Sequence, residues 1–247
     1  MDYIFQNKYV YFDKQGSGNP IILLHGWGVD SSIFKELVDI LKNKYLVYTI
    51  DLPGFGKSEE PSDYYTLDDY VNLLYLFIVD KNIDNPIILG HSFGGRICLK
   101  YASLYQVDKL ILVDSAGLKP KNHLQIKSKI YFYKLKKYWY KLTKNVIKYN
   151  DLLINSGSSD YKNASIAMKK TLSNVTKEYL DHILKNIICD TLIIWGKKDD
   201  VTPYYNALKL KKKIKNAGLV TIEGVGHFPF IESKKTFNKI IKSYLEV

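Results

Sequence analysis

Arginine is almost absent from this sequence, and cysteine is scarce. Of its 36 basic residues, 35 are lysine and Arg96 is the only arginine. The formal net charge is nevertheless +11. Surfaces that bind nucleic acid generally use the bidentate guanidinium group of arginine to hold phosphates. The positive charge therefore indicates a lysine-rich composition, and we expect no nucleic-acid partner.

Long apolar runs and cysteine clusters are missing as well. No run approaches the ~20 residues that a membrane helix needs, so we expect no integral membrane segment. Residues 1–6 lack the basic and apolar regions of a secretory signal. The two cysteines, Cys98 and Cys189, are too few for a disulfide framework, and we expect them to be packing residues. These absences predict a cytoplasmic protein.

The chain does contain short apolar runs that alternate with amphipathic segments. Its 247 residues, 46% of them hydrophobic, suit one globular domain or one domain with an insertion. Unbroken apolar runs are typical of strands buried on both faces of a parallel sheet, so we predict a doubly wound α/β fold. We predict strands at 3–13 (one strand or a hairpin), 21–24, 45–50, 86–91, 109–113, 191–195 and 219–222. Helices are predicted at 66–80, 203–214 and 234–245, and Ser31 or Ser32 is predicted to cap another.

The alternation stops after the sixth strand. Residues 118–186 contain no buried-strand pattern and indicate several helices. We therefore predict a core of residues 1–117 and 187–247, with residues 118–186 inserted as a helical lid. Ligands bind at the carboxyl edge of such sheets, where this insertion would lie.

One strand ends in the pattern Gly-x-Ser-x-Gly, at residues 90–94. A helix-like segment follows at once, so the context is strand, sharp turn and helix. This is the pattern of a nucleophile elbow, which holds a serine hydroxyl above the sheet. We predict that Ser92 is a nucleophile.

A serine nucleophile needs a base, and five histidines are available. His227 lies between the last predicted strand and the last helix, where loops of this architecture hold catalytic groups. His123 and His182 lie in the insertion, with no strand to fix them. His25 and His91 adjoin glycines in tight loops, where structural hydrogen bonds are expected. We predict that His227 is the base.

The base in turn needs an acid to orient it. Asp199 and Asp200 both follow the strand at 191–195, but they cannot both orient one imidazole. Asp114, at another strand end, is a less favoured alternative. The negative oxygen formed during attack also needs N–H donors. We predict the backbone N–H groups of Phe93 and Trp27 for this role.

Five motifs together resemble the α/β-hydrolase family. They stand in order as HGWG (25–28), DLPGFGKS (51–58), GHSFGG (90–95), LIIWGKKDD (192–200) and GVGHF (224–228). The resemblance implies an eight-stranded, mostly parallel sheet and a serine hydrolase that needs no cofactor and no metal. The family usually places its acid three residues after the Trp-Gly glycine, which favours Asp199. A proline often follows that acid, where this chain has Asp200.

Within the family, the motifs look most like those of carboxylesterases. The implied reaction is hydrolysis of a small carboxylic ester or thioester through an acyl-enzyme. A carbon–carbon bond hydrolase, an acyltransferase and a ligand-binding signalling protein on the same fold remain alternatives. The chain would be a monomer or a dimer.

The proposed lid is basic and aromatic in its first half. Residues 117–150 contain ten lysines and no acidic residue. This segment could dock an acidic carrier protein or an anionic membrane surface, or its lysines could simply be solvated while its aromatic rings line the pocket. Either alternative implies an apolar acyl-binding cavity. The candidate pocket residues are His25, Gly26, Phe228, Tyr131 and Trp139.

Overall fold

An eight-stranded β-sheet forms the centre of the computed structural model of this protein, which describes residues 1–121, 135–136, 138–140, 148 and 164–247. The strands are β1 (Asp2–Phe5), β2 (Lys8–Gln15), β3 (Asn19–Leu24), β4 (Tyr45–Ile50), β5 (Ile87–His91), β6 (Lys109–Val113), β7 (Asp190–Gly196) and β8 (Ala217–Ile222).

The strands lie in the order β1-β2-β4-β3-β5-β6-β7-β8. β2 pairs antiparallel with both β1 and β4, and every other neighbouring pair is parallel. The predicted eight-stranded, mostly parallel sheet is therefore confirmed. Its parallel strands bring the ends of β3, β5, β6, β7 and β8 to one edge.

Both faces of the sheet are covered by helices. The helices among the described residues are α1 (Lys35–Leu41), α2 (Leu67–Asp80), α3 (Phe93–Leu104), α4 (Ile166–Val175), α5 (Tyr205–Lys213), α6 (Pro229–Glu232) and α7 (Lys234–Leu245). Side chains of β3 alternate between two cores, because successive residues of a strand point to opposite faces. Ile22 and Leu24 pack with α2, α3 and α5, while Ile21 and Leu23 pack with α1 and α7. This arrangement is the doubly wound fold that the apolar runs predict.

The helix starts follow from local capping. α2 begins after Thr66, whose hydroxyl accepts a hydrogen bond from the Asp69 N–H, while the Asp69 carboxylate accepts one from the Thr66 N–H. This capping box explains why the predicted helix at 66–80 starts where it does. The predicted serine cap before α1 is wrong. Asp30 caps a 3₁₀ turn there by accepting from the Ser32 N–H at 2.9 Å.

The chain divides into two units, Met1–Leu118 with Ile166–Val247 and, separately, Lys119–Ser165. α4 belongs to the first unit, although it lies within the predicted insertion. The proposed insertion limits, 118 and 186, remain a prediction. Among the described residues, no helix combines the length and the apolar character needed to cross a membrane.

Arg96 is buried within the first unit. Its guanidinium group donates hydrogen bonds to the backbone carbonyls of Val175, the last residue of α4, and Glu178, three residues later. The only arginine of the chain therefore connects α3 to the end of α4 and the residues that follow it.

Candidate active site

Ser92 occupies a strained turn between β5 and α3. Its φ and ψ are 50° and −109°, a conformation that costs a non-glycine residue about 1–3 kcal/mol. The turn is held by a hydrogen bond from the Ser92 N–H to the Val113 carbonyl, at 3.0 Å. A Cβ atom at Gly94 would collide with the carbonyl oxygen of Leu24, so only glycine fits there. The Gly-x-Ser-x-Gly pattern thus forms the tight turn expected of an elbow.

Three side chains from three strand ends form one hydrogen-bonded line. His227 Nε2 lies 3.0 Å from Ser92 Oγ, and His227 Nδ1 lies 2.8 Å from Asp199 Oδ2. An ionised carboxylate only accepts hydrogen bonds, so Nδ1 carries the proton and Nε2 is free to accept from the serine hydroxyl. This arrangement can take a proton from Ser92 without any movement of the backbone.

Asp199 is fixed by several donors besides His227. Its Oδ1 accepts from the Val201 and Thr202 N–H groups at 2.8 and 2.9 Å, and its Oδ2 accepts from the Thr202 hydroxyl at 2.6 Å. Burial opposes ionisation, but hydrogen bonds from His227, Thr202 and Asp114 outweigh it and lower the pKa of Asp199. Asp200 is exposed instead. Of the two neighbouring aspartates, the structure therefore places Asp199 against the imidazole.

The two segments that carry the predicted N–H donors meet at the elbow. Phe93 is the first residue of α3, so its N–H has no acceptor within the helix. The Trp27 and Phe93 rings meet edge to face with centroids 5.4 Å apart, and the Gly94 N–H donates to the His25 carbonyl at 3.0 Å. The loop at 25–28 is therefore tied to the elbow. The catalytic role of both N–H groups remains a proposal.

His25 joins this loop to the loop at 51–58. Its Nδ1 donates to the Gly26 carbonyl at 2.7 Å, and its Nε2 accepts from the Leu52 N–H at 2.9 Å. Burial lowers the pKa of the ring, so His25 is neutral. The ring is fully enclosed, which favours the expected structural hydrogen bonds over a role in the pocket.

His91 has an acceptor that the sequence alone does not indicate. Its Nε2 donates to the backbone carbonyl of His227 at 2.8 Å, and its ring lies 4.9 Å from the His227 ring. Burial first, and then the neighbouring His227, lower the pKa of His91 to about 3. A neutral His91 therefore holds the backbone of the proposed base.

The remaining candidate pocket residues are less well defined. The Phe228 ring is half-buried and contacts the rings of His91 and His227, with centroids 4.9 and 5.3 Å away. Trp139 is exposed and belongs to the unit at Lys119–Ser165. Tyr131 lies outside the described residues. The pocket roles of these aromatic residues stay predictions.

Gly26 separates the elbow from the loop at 25–28. A Cβ atom at this position would lie 2.8 Å from His91 Nδ1 and 3.2 Å from the Ser92 Cβ. We expect Gly26→Ala to push the two segments apart and to lower kcat about 10- to 100-fold, since small displacements of reacting groups have effects of this size. Gly218→Ala is the matched control, because a Cβ atom there meets nothing within 4 Å. Steady-state kinetics and melting temperatures check this; an unchanged kcat in Gly26→Ala contradicts it.

The sequence profile of the alpha/beta hydrolase family matches residues 21–240. The chain belongs to the alpha/beta hydrolase family. Lipase 3 of Moraxella sp. (strain TA144) is 31% identical to this family member over 266 residues, which cover 93% of this chain and 78% of the lipase.

Two further relatives are esterases. The pimeloyl-(acyl-carrier protein) methyl ester esterase of Wigglesworthia glossinidia brevipalpis is 26% identical over 257 residues, covering 94% of this chain and 95% of the relative. The solved structure of the esterase EaEST from Exiguobacterium antarcticum matches with a TM-score of 0.75 and 25% identity, covering 97% and 96% of the two chains. This alpha/beta hydrolase is therefore an enzyme, and its relatives support ester hydrolysis as its general activity.

Proposed function

We propose that this chain hydrolyses a carboxylic ester or thioester of a small apolar acyl group, with Ser92 as nucleophile. The observation that carries the proposal is the hydrogen-bonded line from Ser92 through His227 to Asp199. A serine hydroxyl is a weak nucleophile until a base is within reach and a third group orients that base. Here His227 is the base within reach of Ser92, and Asp199 is the group that orients it.

In the first half of the reaction, Ser92 Oγ attacks the carbonyl carbon. Its proton passes to His227 Nε2, and the resulting imidazolium is stabilised by Asp199. The bond to the leaving alcohol or thiol then breaks, and His227 returns the proton to that group. The acyl group stays bound to Ser92 as an ester.

The second half repeats these steps with water. His227 takes a proton from water, the hydroxide attacks the acyl-enzyme, and the acid is released as Ser92 regains its proton. In both halves the carbonyl oxygen becomes negatively charged. The Trp27 and Phe93 N–H groups would stabilise this charge, and N–H donors of this kind contribute about 3–4 kcal/mol each to lowering the barrier.

An apolar acyl group is favoured by the rings beside the serine. Trp27 packs edge to face against both Phe55 and Phe93, with centroids 4.8 and 5.4 Å apart. Phe93 directly follows Ser92, so this group of rings adjoins the elbow. An acidic carrier protein remains a candidate carrier of the acyl group, supported by the lysine-rich segment 117–150 and by the carrier-protein esterase among the relatives.

A panel of p-nitrophenyl esters and matching thioesters of increasing acyl length tests the proposal. We expect turnover of short and medium acyl chains and a pre-steady-state burst of nitrophenol, because the acyl-enzyme forms before it is hydrolysed. An acyltransferase would give more ester product when an alcohol is added. A single burst without turnover would instead favour a signalling protein. Cleavage of carbon–carbon substrates alone would contradict the proposed function.

A further inference from the structure

Asp114 is a buried carboxyl group beside the proposed triad. It directly follows β6, is fully buried, and has a φ of 44°. Its Oδ1 accepts a hydrogen bond from the Gly196 N–H at 3.0 Å, and its backbone carbonyl oxygen lies 3.0 Å from the hydroxyl oxygen of Thr202. The side chain is therefore held in one place by the segments that also hold Asp199.

The second carboxyl oxygen of Asp114, Oδ2, is buried and has no hydrogen-bond partner among the described residues. A carboxyl oxygen of Asp114, one of Asp199 and a ring nitrogen of His227 all lie within 4.8 Å of one another. Two ionised carboxylates at such a distance inside a protein repel strongly, and one shared proton removes the repulsion.

The proton belongs on Asp114 rather than on Asp199. Asp199 accepts hydrogen bonds from Val201, Thr202 and His227, all of which favour its charged form. Among the described residues, only the Gly196 N–H donates to the side chain of Asp114. Burial first, and then the contact with Asp199, raise the pKa of Asp114 to about 10.

We propose that Asp114 is a positioning residue, whose undissociated carboxyl group donates a hydrogen bond from Oδ2 to the Asp199 carboxylate and holds it against His227. This inference rests on the proposed function for its effect on catalysis. The protonation of Asp114 itself does not depend on that function. A cation at the same three side chains is disfavoured, because the Asp199 and His227 atoms already bind each other.

Two substitutions of Asp114 test whether it acts as a neutral hydrogen-bond donor or as a charged carboxylate. Asp114→Ala removes the donor, and we expect kcat to fall about tenfold or more with KM changed less than about twofold, because substrate does not touch this residue. Asp114→Asn keeps an oxygen for Gly196 and supplies N–H donors to Asp199, and asparagine tolerates a positive φ. We expect it to regain most of the kcat lost by Asp114→Ala.

Other kinetic outcomes overturn the proposal. An unchanged kcat in Asp114→Ala means that the donor is not needed. An Asp114→Asn variant as slow as Asp114→Ala means that a charged carboxylate is required. If Asp114→Ala fails to fold because alanine is strained at a positive φ, Asp114→Gly takes its place, since glycine adopts this conformation freely.

Infrared spectroscopy, which needs no substrate, tests directly whether the carboxyl group of Asp114 is protonated. Infrared difference spectra of the wild type minus Asp114→Asn at pH 7 should contain the carbonyl band of an undissociated carboxylic acid. Carboxylate bands alone would overturn the proposal. If the wild type shows this band but hydrolyses no ester, the proposed function fails while the assignment of the proton stands.

The stability of the folded protein should depend on the protonation of Asp114. The charged and titratable groups that face Asp114 among the described residues are Asp199, His227 and Glu232. The folded pKa of Asp114 is raised to about 10, whereas the pKa of an unfolded aspartate is about 4, so the stability that Asp114 contributes is lost as pH rises between these values. The stability advantage of Asp114→Asn over the wild type should therefore grow from pH 5 to pH 9. A difference independent of pH would overturn the proposal.

Discussion

Ser92→Ala is expected to lower kcat/KM for ester hydrolysis by about 10⁴-fold or more while leaving the fold unchanged. The hydroxyl is the group that His227 Nε2 contacts at 3.0 Å, and no acyl-enzyme forms without it. Alanine keeps the Cβ atom and adds no bulk to the turn at φ 50°. The melting temperature should therefore stay within a few degrees of the wild type. Kinetics with p-nitrophenyl acetate and thermal unfolding measure both effects.

Ser103→Ala is the matched control for this loss. Ser103 lies on the same helix, α3, and its hydroxyl donates to the Lys100 carbonyl at 2.7 Å. We expect its kcat/KM to remain within about twofold of the wild type. Retention of most ester turnover in Ser92→Ala would show that another residue is the nucleophile.

The second large effect is expected from Asp199→Asn. The amide nitrogen of asparagine is a donor, and placing it at His227 Nδ1 favours the tautomer whose Nε2 carries the proton. That nitrogen could then no longer accept the proton of Ser92. We expect kcat to fall about 10⁴-fold, the size of the effect when the acid of a serine triad becomes an amide.

Asp200→Asn provides the comparison for Asp199→Asn. It makes the same chemical change one residue further on, at an exposed side chain, and should alter kcat less than about twofold. Steady-state kinetics of both variants decide between the two aspartates that the sequence leaves as alternatives. A larger loss in Asp200→Asn than in Asp199→Asn would contradict the proposed roles.

Much of the fold was predictable because it depends on local patterns. Residues 21–24 are apolar without interruption, and this matches a strand with helices on both faces. The start of α2 is likewise set by residues that are close in sequence, because Thr66 and Asp69 form the capping box. Patterns of this kind need no knowledge of distant residues.

Strand ends were less predictable. β2 continues to Gln15 and β3 begins at Asn19, whereas the sequence predicts strands that end at residue 13 and begin at residue 21. Gln15 pairs with Val47 and Asn19 pairs with Tyr45, so contact with β4 extends both strands through polar residues. The cap at Asp30 likewise went unpredicted, because two adjacent serines were equally plausible caps.

Some residues of the candidate site were predictable from the sequence, and others were not. Motifs at strand ends suffice to nominate Ser92, His227 and either Asp199 or Asp200, because parallel strands place their carboxyl ends together. The contacts of His91 with the His227 backbone and of Asp114 with Asp199 have no sequence pattern. They depend on the packing of loops that are distant in sequence. The hydrogen-bond partners of His91 and Asp114 lie 136 and 82 residues away along the chain.

The central claim is that His227 activates Ser92 as the nucleophile, and covalent labelling with a fluorophosphonate tests it most directly. Intact mass spectrometry and peptide mapping should find one adduct per chain, on Ser92, in the wild type. His227→Ala should be labelled at least about 100-fold more slowly, because the base is missing. An adduct on another residue, or equal labelling rates in the wild type and His227→Ala, would contradict the claim.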